Sequence, residues 1–117
     1  MECVLLTSDL MLSTSVNGIC QSKGYEFLLA GTLDAVGHAA GCKLLLLDLA
    51  MIASDDVEIT IRRCRQLTPP PKTIVAYGPH VHANKLEAAR LAGCDQVMTR
   101  GQIHSLLPQL LAELISE

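Results

Sequence analysis

Five short apolar segments recur along the chain and predict the strands of a β-sheet. Each is four or five residues long, too short for a helix, and is flanked by residues that favour turns. Because the segments are almost continuously apolar rather than alternating, they are typical of strands buried on both faces of a parallel sheet. The predicted strands are residues 3–6, 25–29, 44–47, 73–77 and 96–99.

Segments with helical spacing separate these strands and predict five helices. Gly24 and Gly93 follow two of them and can supply the left-handed residue that ends a helix, and the prolines at 69–71 stop a third. Pro108 lies inside the last apolar stripe, so that helix has to start late or kink. The predicted helices are residues 9–23, 32–40, 55–67, 83–92 and 102–115.

The alternation of strands and helices predicts an α/β fold in a single domain spanning residues 1–117. Right-handed crossovers between parallel strands leave a three-layer α/β/α, doubly wound sandwich as the economical arrangement. In such open sheets, ligands bind beyond the carboxyl ends of the strands, where the strand order reverses. The residues that follow the strands are therefore the first candidates for a functional site.

The composition narrows the class of protein. The chain has 117 residues, is 50% hydrophobic and 18% charged, and carries a net charge of −3. It has no basic run and only two tyrosines and one phenylalanine, so nucleic acid is not an expected partner. A membrane is not expected either, because Asp48 interrupts the longest apolar stretch.

Cysteine usage and the first residues point to a reducing compartment. The five cysteines are scattered and contain no CxxC pair, which favours buried reduced thiols over disulfides or a zinc site. Glu2 and Asp9 lie where a secretory signal would need basic and apolar residues, so we expect a cytoplasmic protein. His80 and His82 lie two apart in the turn YGPHVH, and exposed loop histidines are a better interpretation there than metal ligands.

One strand end carries a carboxylate in an unusually apolar setting. Asp48 follows segment 44–47 directly, where an unpaired charge would be costly, and Arg100, Asp9 with a cation, or backbone donors could compensate it. Such a carboxylate can accept a phosphoryl group when a divalent metal and a positive group neutralise the transferred charge. Asp9 and Asp48 could hold Mg²⁺ for this purpose. Alternatively, Asp48 caps the following loop or pairs with Arg100, and position alone leaves both interpretations open.

Two longer motifs resemble a known family. LLLLDLAMIASDDVE, residues 44–58, is similar to the phosphoacceptor segment of the receiver domains of bacterial two-component response regulators. EAARLAGCDQVMTR, residues 87–100, resembles their fourth helix, Ala-Gly turn and fifth strand. The likeness covers essentially the whole chain and implies a flavodoxin-like sheet with the strand order 2-1-3-4-5. It also implies that Asp48 is the phosphoacceptor-like residue and that Met51 stands at the family's usual methionine.

By the same resemblance, several positions depart from the family's pattern. Ser8 and Asp9 stand where the family has two acids that hold Mg²⁺, so metal binding should be weak at best. Gly78 replaces the hydroxyl residue that senses the phosphoryl group, and Arg100 replaces a lysine. Tyr77, beside Gly78, could substitute for a hydroxyl or an aromatic ring, or could pack in the core. The implied pocket around Asp48 consists of Ser8, Asp9, Met51, Tyr77, Gly78 and Arg100.

Three functions remain open at this point. The interpretation we prefer is an atypical receiver, or pseudo-receiver, that acts in signal transduction through protein–protein contacts, with phosphorylation at Asp48 weakened or lost. In the second, Asp48 accepts a phosphoryl group from a histidine kinase. In the third, the flavodoxin-like scaffold binds a small ligand.

The preferred interpretation implies partners but no catalysis. The partner would be a histidine kinase, a downstream effector or a second copy of the chain in a homodimer, because no effector domain is attached. No cofactor would be required, and Mg²⁺ would bind only weakly. In receivers, the usual contact surface corresponds here to residues 85–90 and 102–113.

Overall fold

A computed structural model describes residues 1–115 and contains one five-stranded parallel sheet with helices on both faces. The strands lie in the order β2-β1-β3-β4-β5, which confirms the predicted α/β class and strand order. The strands are β1 (Cys3–Leu6), β2 (Phe27–Ala30), β3 (Leu44–Asp48), β4 (Thr73–Gly78) and β5 (Gln96–Thr99). The helices are α1 (Leu10–Lys23), α2 (Val57–Arg65), α3 (Ala83–Leu91) and α4 (Arg100–Ile115).

The strands are buried because helices cover both faces of the sheet. Helices α1 and α4 cover one face, where their apolar side chains meet Leu46 and Tyr77. Helices α2 and α3, with a 3-10 segment at Leu33–Ala39, cover the other face and meet Leu45 and Ala76. Successive residues of one strand therefore enter two separate cores, which explains why the strands are apolar throughout.

The second predicted helix, residues 32–40, is not an α-helix. It forms a 3-10 helix over Leu33–Ala39. Leu33, Val36 and Ala39 pack inward at intervals of three residues, and Ala35 packs beside them. This spacing puts them above one another on a helix with three residues per turn, so the packing favours the tighter helix.

Strand β2 begins two residues later than the predicted strand 25–29. Gly24 adopts the left-handed conformation with φ 72°, and the N–H of Tyr25 donates to the carbonyl of Cys20 at 2.9 Å. Tyr25 therefore completes the end of α1 instead of starting the strand. Gly93 also has a positive φ after α3, so both predicted helix-ending glycines are confirmed.

Helix α4 begins at Arg100, two residues before the predicted start, and continues through Pro108. A reciprocal pair of bonds sets this start. The Gln102 N–H donates to Thr99 Oγ1 at 3.2 Å, and the Thr99 N–H donates to Gln102 Oε1 at 2.8 Å. This is a capping box, whose sequence signature is T-x-x-Q over residues 99–102. A late start is therefore not how the helix accommodates Pro108.

The length and hydrophobicity of the helices can be compared with what a membrane span requires. Within residues 1–115, no helix combines the length and the hydrophobicity that a membrane span needs.

Candidate functional site

The carboxyl ends of β1, β3 and β4 bring three polar side chains to one level of the sheet. Leu6 pairs with Leu47, which puts Thr7 beside Asp48, and Asp48 in turn pairs with Tyr77. Side chains alternate between the faces of a strand, so all three belong to the face covered by α1 and α4. We call Thr7, Asp48 and Tyr77 the polar row.

Asp48 is only 2% exposed, and both of its carboxylate oxygens accept hydrogen bonds. The Thr7 hydroxyl donates to Oδ2 at 2.7 Å, and the Ala50 backbone N–H donates to Oδ1 at 3.0 Å. These donors offset part of the cost of burying the charge. Asp48 also caps the 3-10 turn Leu49–Met51, so the loop-capping interpretation of this residue describes its geometry.

Asp9 and Arg100 form an ion pair next to the polar row. A guanidinium nitrogen of Arg100 donates to Asp9 Oδ2 at 3.0 Å, while Asp9 Oδ1 caps α1 by accepting from the N–H groups of Met11 and Leu12. The Asp9 N–H donates to Thr7 Oγ1 at 3.0 Å, which links the ion pair to the polar row. The Leu12 N–H and then the Arg100 charge lower the pKa of Asp9, and burial only partly opposes them.

The structure thus joins Asp9, Asp48 and Arg100 through one hydrogen-bonded chain that runs by way of Thr7. Of the partners that the sequence suggested for Asp48, the structure contains a backbone donor, the Ala50 N–H, but not Arg100, and it adds the Thr7 hydroxyl. Arg100 forms its ion pair with Asp9, whereas Asp48 accepts hydrogen bonds from the Thr7 hydroxyl and the Ala50 N–H.

The other pocket residues lie at the same strand ends and contribute little polar chemistry. Gly78 is buried, and a Cβ built there would lie 3.4 Å from Leu49 Cβ, so apolar carbon fills the space beside it. Met51 is partly buried against the core under α2 and α3. Ser8 is exposed to solvent.

Tyr77 packs in the core between the sheet and helices α1 and α4 and is fully buried. Burial raises the pKa of its phenol, and the neighbouring Thr7 hydroxyl opposes that rise. Among residues 1–115, the Tyr77 hydroxyl has no hydrogen-bond partner. A buried polar atom is therefore left unsatisfied beside Thr7 and Asp48.

A magnesium ion at Asp9 and Asp48 would have to compete with contacts that these two carboxylates already make. Mg²⁺ requires oxygen ligands in near-octahedral geometry, but every oxygen of these two carboxylates already accepts a hydrogen bond. Within residues 1–115, no group of three or more His, Cys, Asp or Glu side chains is placed to hold a metal. His80 is exposed and His82 is partly buried, and neither belongs to such a group.

Sequence reasoning missed two polar groups at this edge of the sheet, Thr7 and Lys85. Lys85 lies in α3, and its Nζ donates to the Leu49 carbonyl at 3.2 Å, at the turn that follows Asp48. Thr7 carried a signal, because it is the polar residue directly after an apolar strand. Only the strand register, however, puts Thr7 rather than its neighbours beside Asp48.

No protein-family model and no curated protein sequence matches this chain. Solved structures do resemble it. A signal receiver domain of a two-component histidine kinase from Clostridium thermocellum has a TM-score of 0.78 at 11% identity, covering 99% of this chain and 98% of that chain. The receiver domain of a sensor histidine kinase from Pseudomonas aeruginosa, with a magnesium ion coordinated in its active site cleft, has a TM-score of 0.70 at 15% identity, covering 99% and 98%.

A third similar structure is a co-crystal of the Saccharomyces cerevisiae histidine phosphotransfer protein Ypd1 with the receiver domain of its response regulator Ssk1. It matches with a TM-score of 0.70 at 17% identity, covering 98% of this chain and 88% of that chain. The chain has the fold of a receiver domain. Within that fold, the strand order reverses between β1 and β3. Thr7 directly follows β1, and Asp48 is the last residue of β3. Open α/β sheets bind their ligands at that place, so the fold and the polar row indicate the same site.

Proposed function

We propose that this chain is an atypical receiver domain that acts in two-component signalling through protein–protein contacts, with phosphoryl transfer to Asp48 weakened or lost. The observation that carries the proposal is the closed environment of Asp48. Its carboxylate is buried, and its two oxygens are held by Thr7 and by the Ala50 N–H.

Phosphoryl transfer to a carboxylate needs a free attacking oxygen, a divalent cation and an available positive group. Here Asp48 would have to give up its bond to Thr7, and Arg100 would have to leave Asp9. Thr7 also brings a neutral hydroxyl, not a second carboxylate charge, to the level of Asp48. Each of these contacts raises the barrier to phosphorylation.

The surroundings of Gly78 support the loss of a conformational response to phosphorylation of Asp48. A residue without a side chain cannot turn a hydroxyl toward a phosphoryl group. The carbon atoms of Leu49 and Leu86 lie within 4 Å of where its Cβ would be. These carbon atoms belong to the core under α2 and α3, so no polar side chain stands at Gly78 to report a phosphoryl group.

A second candidate function is a weak phosphorylatable receiver. It is favoured by one specific observation: Asp9, Arg100 and Asp48 belong to one hydrogen-bonded chain, with the Lys85 ammonium at the adjoining turn. A divalent cation that displaced the ion pair would find two carboxylates and two cations near the acceptor. In this function the phosphoryl donor would be a histidine kinase.

A labelling experiment separates the two functions. The protein is incubated with Mg²⁺ and acetyl phosphate, and intact-mass spectrometry is used to look for the addition of one phosphoryl group. Asp48→Asn removes the acceptor, and Asp95→Asn is a matched control at the beginning of β5. A receiver known to accept phosphoryl groups shows that the reagent is active.

We expect no mass gain in the wild-type protein or in either variant. Binding of beryllofluoride with Mg²⁺, followed by fluorine NMR, should likewise give no bound resonance. A mass gain in the wild-type protein and Asp95→Asn that is absent from Asp48→Asn would instead establish the second function.

The proposed contact surface lies on α3, β5 and α4. On this surface Leu106 is 40% exposed and, with Gln96 and Met98, lines a groove of about 100 Å³. A partner protein or a second copy of the chain would cover it. Sedimentation velocity over a concentration series tests the homodimer: an association that Leu106→Glu abolishes supports self-association, and a monomer throughout leaves a different protein as the partner.

A further inference from the structure

Strand β2 forms one edge of the sheet, and its outer side has no partner strand within residues 1–115. The Thr7 N–H donates to the Ala30 carbonyl at 3.2 Å, so Ala30 turns its backbone polar groups toward β1. These groups alternate between the two sides of a parallel strand, so Leu28 also faces β1. Phe27 and Leu29 therefore point their N–H and C=O groups outward, away from the sheet.

A groove of about 390 Å³ lies between this open edge and helix α1. We call it the edge groove; it is lined by Ser13, Thr14, Asn17, Phe27 and Leu29. None of these residues is charged, and Leu29 is 42% exposed. Leu10 lies one helical turn before Thr14 and is 75% exposed, so it extends the apolar surface along α1. The edge groove thus combines outward-facing backbone groups with uncharged side chains.

Strand β2 also lacks the features that usually protect a sheet edge. Natural proteins place charges, prolines or bulges on such strands to prevent pairing with another chain. Residues 27–30 read FLLA, and they pair with β1 residue for residue, without a bulge. The opposite edge, β5, differs, because its groove is only about 100 Å³ and includes Glu113. β2 is therefore the edge that is better suited to receive another strand.

We propose that β2 of a second copy of this chain pairs antiparallel with β2 across a two-fold axis, which joins the two sheets into one. With Leu28 on the axis, Phe27 lies opposite the partner's Leu29, and Leu29 lies opposite the partner's Phe27. In an antiparallel ladder, each such pair exchanges two N–H···O=C bonds. The outward backbone groups of both copies are then satisfied, and the apolar side chains meet over the edge groove.

Charge and symmetry favour a second copy as the occupant. The pairing puts Glu26 opposite the partner's Ala30, so the two Glu26 residues lie about 14 Å apart along the strands, more than a Debye length. An uncharged, apolar groove matches an uncharged, apolar strand, and β2 is itself such a strand. Pairing of β2 with the partner's β5 would leave an edge open at each end, whereas the two-fold pairing closes.

This interface is independent of the proposed receiver function. It lies at the edge of the sheet opposite β5, so the dimer leaves the surface on α3, β5 and α4 available to a different protein. Asp48 takes no part in it. A phosphoryl mass gain would therefore contradict the proposed function without affecting the dimer, and a monomer would leave the labelling result unchanged.

Sedimentation velocity over a micromolar to millimolar concentration series tests the interface. Leu29→Lys places a charge in the edge groove. Leu106→Lys is the matched control, because Leu106 is 40% exposed, close to the 42% of Leu29, but lies at the opposite edge of the sheet. Circular dichroism and urea unfolding establish that each variant is folded.

We expect the wild-type protein to dimerise as its concentration rises. Leu29→Lys should raise the dissociation constant about 100-fold, because the two-fold axis introduces the lysine twice and each copy costs about ten-fold. Leu106→Lys should leave the dissociation constant within about two-fold of the wild-type value, as for a surface change away from the interface.

Amide hydrogen exchange followed by NMR tests the strand pairing in the wild-type protein, without any variant. The Phe27 and Leu29 amides should exchange more slowly as the fraction of dimer rises, because their N–H groups become bonded. The Leu28 amide faces β1 in the monomer as well, so it is the internal control and should change least.

Three results would overturn the proposal. A monomer throughout the series would leave the edge groove to an extended segment of a different protein. A dimer that Leu29→Lys spares and Leu106→Lys disrupts would place the interface at the β5 edge. A dimer in which the Phe27 and Leu29 amides exchange as fast as in the monomer would exclude pairing through β2.

Discussion

Asp9 combines a helix cap with an ion pair on a single carboxylate, which makes its contribution to stability depend on pH. Its pKa is lowered below the ordinary value of 3.8 by the Leu12 N–H and by Arg100. A carboxyl whose folded pKa is depressed stabilises the protein above its unfolded pKa. That stability is lost as the pH falls through the folded pKa.

We therefore expect Asp9→Ala to lower the free energy of unfolding at pH 7 by about 1 kcal/mol, because the first turn of α1 loses its cap. Asp9→Asn keeps a capping oxygen and should lose less. Urea unfolding from pH 7 down to about pH 2 checks the sign, since the difference between wild type and Asp9→Asn should shrink as the wild-type carboxyl is protonated. A difference that is constant over this range would show that the Asp9 charge adds nothing.

At the residue scale, the sequence located the site better than it located the contacts. Asp48 could be found because a carboxylate directly after an apolar strand is unusual. Its partner Thr7 could not, because the sequence does not give the register of parallel strands. The same limit explains why the sequence offers Arg100 among the candidate partners of Asp48, whereas in the structure Arg100 pairs with Asp9.

Among the secondary-structure elements, α4 carries an internal proline and so has a testable weakness. Pro108 has no N–H to donate to the His104 carbonyl, and its ring crowds that carbonyl. Pro108 is exposed, so its replacement leaves the core unchanged. We expect Pro108→Ala to raise the free energy of unfolding by about 1–3 kcal/mol, reduced somewhat by the greater freedom of the unfolded chain.

Denaturant unfolding measures this change, with Ser105→Ala as the matched exposed control in the same helix. Ser105→Ala should change the stability by no more than about 0.5 kcal/mol, as expected from helix propensity. An equal stability of Pro108→Ala and wild type would mean that the helix accommodates the proline without cost.

The elements that the sequence predicted correctly are those with a strong local signal. The apolar runs predict both ends of β1 and of β5 correctly. The glycines after α1 and α3 end those helices, as predicted. The sequence predicts an α-helix where the 3-10 segment Leu33–Ala39 lies, because apolar residues over so short a stretch fit either helical period. The early start of α4 had a local signal, the Thr99 and Gln102 capping box, that the apolar stripe concealed.

Across the whole molecule, the cysteines and the polar row lie at opposite ends of the sheet. Cys3 begins β1, and Cys42 and Cys94 shortly precede β3 and β5. Cys20 and Cys64 lie in the last turns of α1 and α2, which run back to the starts of the strands. All five thiols therefore lie toward the end of the sheet opposite the carboxyl ends, and the sheet separates their chemistry from that of Asp48.

These thiols should be slow to react in the folded protein. Burial raises the pKa of Cys42 and Cys64 to about 11 and that of Cys94 to about 12. At pH 8, a thiol with a pKa of about 11 is ionised in about one molecule in a thousand, and the thiolate is the reactive form. Cys3 and Cys20 are fully buried in the core under α1, so a reagent reaches them only when the protein opens.

We therefore expect a chromogenic disulfide reagent at pH 8 to react with the native protein slowly, and with all five thiols at once in urea. Cys94 is the partly exposed one and should react first, so Cys94→Ser should remove the fastest phase. The remaining phases should follow global unfolding, and Pro108→Ala, which we expect to stabilise the fold, should slow them. A thiol that reacts within seconds in the native Cys94→Ser variant would show instead that this end of the sheet opens locally.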